Sequence, residues 1–285
     1  MGNHPSSKGQ NAGASGGGGK HSGTGAGPLA GFEPNVVAAL RGKHIDLSNQ
    51  QLTSLSLRTQ RRIEELVALI DEVTLDLNHL TTVPPLVFEF RLRVLRVSIN
   101  RLRFVPPHLH QMAVTLVELD LSHNLLEALP ESLGALSQLR TLKLAGNFLR
   151  AWPQSLCASL PSLATLDLAG NRLTSLPLDL YLLAALEELC IERNEIAALP
   201  PTLCRLPHLR ILRAQDNLLA ALPDLPPSVR RLNAWSNRLS SLPPSLPSAV
   251  LAVLDCYDNA LSSLPDQLPA SLSTLNCSAN AFPSL

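Results

Sequence analysis

One short pattern of residues recurs along most of this chain. Segments 116–130, 139–153 and 163–177 share the arrangement Leu-x-x-Leu-x-Leu-x-x-Asn-x-Leu-x-x-Leu-Pro, with Trp152 replacing the last Leu once. Counting a degenerate first unit around Gln50, the chain holds about 11 repeats, and such a period predicts stacked units that share one elongated core. The Asn of the pattern returns every 20 to 24 residues, at Asn78, Asn100, Asn124, Asn147, Asn171, Asn194, Asn217, Asn237, Asn259 and Asn280.

The spacing within one repeat predicts how it folds. Leu119 and Leu121 are two residues apart, so in a strand they point to one side, while Glu118 and Asp120 point to the other. The next Leu follows the Asn, so the chain must turn there. A buried Asn is expected to hydrogen-bond the backbone of that turn, because an unpaired buried amide costs about 1–3 kcal/mol. Leucine supplies 62 of the 285 residues, which is enough for a continuous aliphatic core beneath a parallel sheet.

In these repeats the chain resembles the leucine-rich repeat family. The resemblance implies an α/β solenoid, the leucine-rich repeat horseshoe, with a parallel concave sheet and short helical or extended convex segments. Units of 22–24 residues resemble those of intracellular Ras-suppressor and scribble-like scaffolds, whereas the last three, of 20–22 residues, resemble repeats of secreted bacterial effectors. The convex segments of these last, Pro-rich repeats are expected to be extended.

The composition divides the chain into three regions. Residues 1–31 form a Gly/Ser-rich tail with 11 of the 15 glycines, for which we expect disorder. Residues 32–41 are predicted to form an N-terminal capping helix, and residues 42–285 the repeat domain. Within the first, long repeat, the apolar spacing over Thr59–Ile70 predicts a helix on the outer side.

The N-terminus fits a lipid-attachment template. Residues 1–6, MGNHPS, match M-G-x-x-x-[ST], which predicts N-myristoylation of Gly2. A single acyl chain gives marginal, reversible membrane binding, so the predicted location is cytoplasmic with peripheral membrane contact through the Gly2 lipid. The alternative is that a Gly/Ser-rich tail meets this short template by chance.

Charge and motifs exclude several classes of function. The 23 basic and 23 acidic residues give zero net charge, which lacks the positive footprint of a nucleic-acid-binding protein. Five cysteines, an odd number without clustered spacing, fit a reducing compartment. His108 and His110 lack a third metal ligand, and Cys190, in a strand position that allows exposure, lacks a histidine to activate it. We therefore predict a protein that is not an enzyme and uses no metal or cofactor.

Two aromatic residues stand out in the strand positions that face solvent. The second outward position of each repeat holds mostly small residues until Trp235 and Tyr257, which neighbouring strands would place side by side. Trp, Tyr and Arg are enriched at binding hot spots, so we predict a partner-binding site here. The charged residues expected around the pair are Arg213, Arg231, Asp255, Asp258, Glu192 and Arg193. The alternative is that the two rings stack on each other and only stabilise the array.

Taken together, these features predict a non-catalytic protein–protein interaction scaffold with its partner on the concave face. The family resemblance implies signalling partners such as a small GTPase or a phosphatase subunit. The alternative function is the substrate-recognition part of an effector or ubiquitin-ligase-type protein whose catalytic domain is absent from this sequence. A third hypothesis is a module without any lipid.

Overall fold

The strands of this protein form one continuous sheet. The computed structural model describes residues 40–55, 70–246 and 250–283. Within these ranges the strand order in space follows the order in the chain. The strands are β1 Leu40–Arg41, β2 His44–Asp46, β3 Glu72–Thr74, β4 Val94–Arg96, β5 Glu118–Asp120, β6 Thr141–Lys143, β7 Thr165–Asp167, β8 Glu188–Cys190, β9 Ile211–Arg213, β10 Arg231–Asn233, β11 Val253–Asp255 and β12 Thr274–Asn276.

Each strand from β2 to β11 pairs in parallel with the next, residue for residue. Leu142, at the centre of β6, lies opposite Leu119 on one side and Leu166 on the other. These three side chains are completely buried, since every repeat covers the leucines of its neighbour. The solenoid horseshoe predicted from the repeat is therefore confirmed, with the first and third residues of each strand, most of them polar, on the concave face.

The convex segments are short and begin at prolines. Within the described ranges, 3₁₀ helices span Pro85–Glu89, Pro107–Met112, Glu131–Ala135, Leu178–Leu182 and Pro201–Arg205, and an α-helix, α1, spans Ser155–Ser159. The 3₁₀ helices each follow or start at a Pro, whose fixed φ suits the start of a helix and whose missing N–H would have no partner there. The later segments 214–230 and 256–273 contain no helix, as expected from their proline content. No helix within the described ranges has the length and apolarity needed to cross a membrane.

The repeat asparagine carries out the role predicted for it. Asn147 Oδ1 accepts the N–H of Leu126 (3.1 Å), which belongs to the preceding repeat. Its Nδ2 donates to the carbonyl oxygens of Leu121 (3.0 Å) and Leu144 (2.9 Å). The side chain is almost fully buried, so each Asn both closes its own turn and ties two repeats together. The same bonds recur at the other repeat asparagines, from Asn78 to Asn280.

The N-terminal end of the sheet differs from the sequence prediction. Leu40–Arg41, the last two residues of the predicted capping helix 32–41, form strand β1, which pairs antiparallel with β2. Gly42 makes this possible because its φ of 66° allows the tight reversal between the two strands. The rest of that helix, the Gly/Ser-rich tail with Gly2, and the outer helix predicted over Thr59–Ile70 (except Ile70) lie outside the described residues.

Candidate functional site

In the first half of the concave face, ion pairs link the basic side chains to carboxylates of neighbouring strands. Arg96 contacts Glu72 on one neighbouring strand and Glu118 on the other, with 3.2 Å between Arg96 Nε and Glu118 Oε1. Lys143 Nζ lies 3.5 Å from Glu118 Oε1 and 3.8 Å from Asp120 Oδ2. Both basic residues of β3 to β6 are therefore paired within the sheet, while three carboxylates against two cations leave this part of the face with a small negative excess.

Beyond these ion pairs, a cavity of about 310 Å³ opens on the concave face. Its lining consists of His123, Ala145, Gly146, Ala169, Gly170, Glu192, Arg193, Gln215 and Trp235. Small residues in consecutive repeats create the space, and longer polar side chains with Trp235 form its C-terminal end. We call this set of residues the concave cavity.

Gly146 is needed for the shape of the concave cavity. Its φ of 65° lies in the left-handed region, and a Cβ atom there would lie 2.3 Å from Nδ1 of the His123 ring. Any larger residue would therefore strain the backbone and displace the imidazole. The cavity thus depends on a close contact between two neighbouring repeats.

Two hydrogen-bond acceptors in the concave cavity have no partner in the described part of the chain. Glu192 Oε2 and Gln215 Oε1 are buried atoms without a hydrogen bond, although buried polar atoms are rarely left unpaired. Burial raises the pKa of Glu192, and the nearby charge of Asp167 raises it further, against the opposing effect of Arg213 and Arg193. A hydrogen-bond donor with positive charge would satisfy both acceptors and relieve the repulsion.

Trp235 and Tyr257 lie on neighbouring repeats, as the sequence predicts. The N–H of Ser236 donates to the carbonyl oxygen of Tyr257 at 2.9 Å, which places the two loops side by side. Tyr257 is 42% exposed and Trp235 is half-buried. Over the described residues, the ring contacts join Phe88 to His108 and His108 to His110, so no stack between Trp235 and Tyr257 is found.

The acidic residues predicted around this pair shape its loops. Asp255 Oδ1 accepts the N–H of Tyr257 at 3.2 Å. Asp258 Oδ2 accepts the hydroxyl of Ser236 at 2.7 Å. These bonds hold the turns that carry the two aromatic residues, so the carboxylates position the site.

The predicted basic and acidic residues divide into two groups. Glu192 and Arg193 line the concave cavity together with Trp235. Arg213 is held by an ion pair of 2.9 Å with Glu188 on the adjacent strand, and Arg231 is exposed at the start of β10. The sequence prediction missed Gln215, although it occupies the same outward position between Glu192 and Trp235 in successive repeats.

The cysteines and histidines do not form a reactive centre in the ranges that the structure describes. Cys190 is only 7% exposed, so the exposure allowed by its outward strand position is not observed. Burial and three nearby carboxylates raise the pKa of its thiol, which disfavours a reactive thiolate. Burial also raises the pKa of Cys256 to about 12. Among the described residues, no group of three or more His, Cys, Asp or Glu side chains is arranged to hold a metal ion.

Comparison with known proteins identifies the same architecture. The family model described as leucine rich repeat matches residues 90–149. A leucine-rich repeat protein of Leptospira interrogans shares 26% identity with a TM-score of 0.77, covering 88% of this chain and 70% of that one. YopM, a leucine-rich effector protein of Yersinia pestis, shares 29% identity with a TM-score of 0.66, covering 90% of this chain and 68% of that one.

A more distant likeness shows the fold alone. A chain from the octameric complex of latrophilin 3, Unc5D and the leucine-rich repeat part of FLRT2 shares 21% identity with a TM-score of 0.72. The match covers 85% of this chain and 83% of that one. No curated protein matches the chain significantly.

Proposed function

Because this chain is a leucine-rich repeat protein, we propose that it is a non-catalytic scaffold whose protein partner docks on the C-terminal half of the concave face. The observation that carries this proposal is the concave cavity, where Glu192 and Gln215 present buried, unpartnered acceptors beside Trp235. Buried polar atoms usually have a hydrogen-bond partner, so donors supplied by a docked protein suit these two acceptors.

The chemistry of the concave cavity favours a basic side chain of the partner. The aliphatic stem of an Arg or Lys packs on the ring of Trp235, and its N–H groups donate to Glu192 and Gln215. Tyr257 adds an exposed aromatic contact one repeat further on. With a standard interface of roughly 800 Å² per side, the partner also covers Arg231. Small GTPases and phosphatase subunits stay the predicted partner classes, and no residue of the cavity selects between them.

The test of this site is the combined substitution Trp235→Ala and Tyr257→Ala. We expect the double variant to recover at least tenfold less of the partner than the wild type. The reason is that aromatic hot spots each contribute roughly 2 kcal/mol or more to binding. The measurement is recovery of proteins captured by the tagged chain, quantified by mass spectrometry. Phe104→Ala is the matched control, since Phe104 is an aromatic residue that is 82% exposed outside the cavity. Unchanged recovery with the double variant would show that the partner binds elsewhere.

We also propose that Gly2 carries a myristoyl group that gives reversible membrane contact. The support is the template at residues 1–6, and one acyl chain predicts partitioning between cytosol and membrane. Protein expressed in eukaryotic cells is expected to be heavier by one acyl group, and Gly2→Ala is expected to lose both this mass and the membrane fraction. Gly9→Ala is the control within the same tail. Equal membrane fractions for the wild type and Gly2→Ala would contradict the proposal.

A second candidate function is the recognition part of an effector or ubiquitin-ligase-type protein. It is favoured by the likeness to YopM, an effector, over 90% of this chain, and by the short final repeats. In that case the gene's reading frame continues past Leu285 into a catalytic domain. Sequencing the transcript across this position distinguishes the two functions, because a stop codon there contradicts the second.

A further inference from the structure

A second surface patch lies on the segments that follow the repeat asparagines. In the repeats from Asn78 to Asn259, the residue after the Asn and the residue two positions further along the chain are at least partly exposed, while a buried Leu or Ile separates them. These segments stack through backbone bonds, since the N–H of Phe148 donates to Leu126 O and that of Arg172 to Leu149 O, at 2.8 and 2.9 Å. The stacking aligns the exposed residues of successive repeats in two rows.

The two rows bring arginines from three repeats around an apolar centre. The first row reads Arg101, Leu125, Phe148 and Arg172, and the second reads Arg103, Glu127, Arg150 and Thr174. Six of these residues line a cavity of about 310 Å³: Arg103, Leu125, Glu127, Phe148, Arg150 and Arg172. The guanidinium carbon of Arg172 lies 4.7 Å from the centre of the Phe148 ring, which holds that arginine in place. We call these six residues, together with Arg101 of the first row, the arginine patch.

The arginines of this patch are not neutralised by the protein. Within residues 40–55, 70–246 and 250–283, ion pairs engage Arg96, Arg193, Arg210 and Arg213, but none of the four patch arginines. Each therefore presents its planar fork of N–H donors to solvent, a geometry that suits carboxylates and phosphates. Glu127 is the one acidic residue among the residues of the two rows named above, and the next acidic residue of the first row is Glu195, one repeat beyond Arg172. The patch therefore keeps an excess of positive charge.

The arrangement distinguishes between possible anions. Arg103 and Arg150 are two repeats apart, which corresponds to about 10 Å at the spacing of stacked strands. The carboxylate of Glu127 lies in the row between them and repels an anion at the centre. Leu125 and Phe148 provide an apolar surface beside it. The matching ligand therefore carries two separated negative charges with an apolar group between them.

From these observations we propose that the arginine patch binds an extended acidic segment of a protein partner. Carboxylates of that segment pair with Arg103 and Arg150 on the two sides of Glu127, and an intervening apolar side chain packs on Leu125 and Phe148. This interaction uses a different surface from the concave cavity and does not rest on the function proposed for it.

The test uses a short fluorescein-labelled peptide in which Leu and Phe separate two Asp residues. Its binding to the protein is measured by fluorescence anisotropy. The combined substitution Arg103→Ser and Arg150→Ser is expected to weaken binding about tenfold or more, since two charge-assisted contacts are lost. Glu127→Gln is expected to tighten binding severalfold, because it removes a repelling charge. Arg238→Ser is the matched control, since Arg238 occupies the first row several repeats away and its loss should leave binding unchanged.

Several results would overturn the proposal. These are the absence of peptide binding, an equal loss with Arg238→Ser, and no gain with Glu127→Gln. Displacement of the peptide by equimolar inorganic phosphate would assign the patch to phosphate. Binding to phosphatidylserine vesicles that depends on Arg103 and Arg150, in the absence of peptide binding, would assign it to a membrane surface.

Discussion

Asn147→Ala is expected to lower the free energy of unfolding by about 2–4 kcal/mol. The side chain makes bonds to backbone groups of two repeats, including the N–H of Leu126 at 3.1 Å and the carbonyl of Leu121 at 3.0 Å. Alanine leaves these buried groups without partners, and water cannot replace the amide in a dry turn. Urea unfolding followed by circular dichroism measures the loss.

Asn233→Ala supplies the matched control for this change. Asn233 is the third residue of β10 and lies on the solvent-facing side of the sheet. Its replacement is expected to change stability by no more than about 0.5 kcal/mol, as for most surface substitutions. If both variants lost the same free energy of unfolding, the stabilising role assigned to the hydrogen bonds of Asn147 in the turn would be wrong.

Leu166→Ala is expected to cost about 3–5 kcal/mol, the largest effect of a single substitution that we anticipate. Leu166 is fully buried at the centre of β7, between Leu142 and Leu189 in register. Its removal leaves a cavity that the neighbouring repeats cannot close without breaking their own pairing. The measurement is the midpoint of thermal or urea unfolding.

The control for this second prediction is Leu178→Ala, which makes the same chemical change at a residue that is 61% exposed. We expect this variant to unfold close to the wild type. Because each repeat contacts only its neighbours, hydrogen exchange should increase mainly around β7 in Leu166→Ala. A uniform increase along the whole sheet would contradict this nearest-neighbour picture.

The fold was predictable because the same pattern of Leu, Asn and Pro positions is repeated along the chain. Leu119 and Leu121 on one face, the turn at Asn124 and Pro130 after it are enough to specify a strand, a turn and a return segment. Stacking follows, because no unit can bury its leucines alone. The N-terminal strand β1 was missed, since its pairing depends on the reversal at Gly42 and not on the repeat.

The candidate site was predictable only in part, because its geometry arises between repeats. The positions of Trp235 and Tyr257 followed from the register, but the concave cavity also needs the ring of His123 against Gly146. Similarly, the burial of Cys190 depends on side chains of the adjacent strands. Such packing is set by residues more than 20 positions apart, and no local pattern in the sequence reports it.

The uniform register of β2 to β12 has a consequence for how this protein can evolve. Every strand offers its neighbour the same three-residue edge, and every repeat asparagine reaches back to the unit before it. Duplication or deletion of one whole unit therefore rejoins compatible edges and leaves the remaining units folded. A lineage can lengthen or shorten its recognition surface in steps of one unit, and diversify it by point changes at outward positions, without having to invent a new fold.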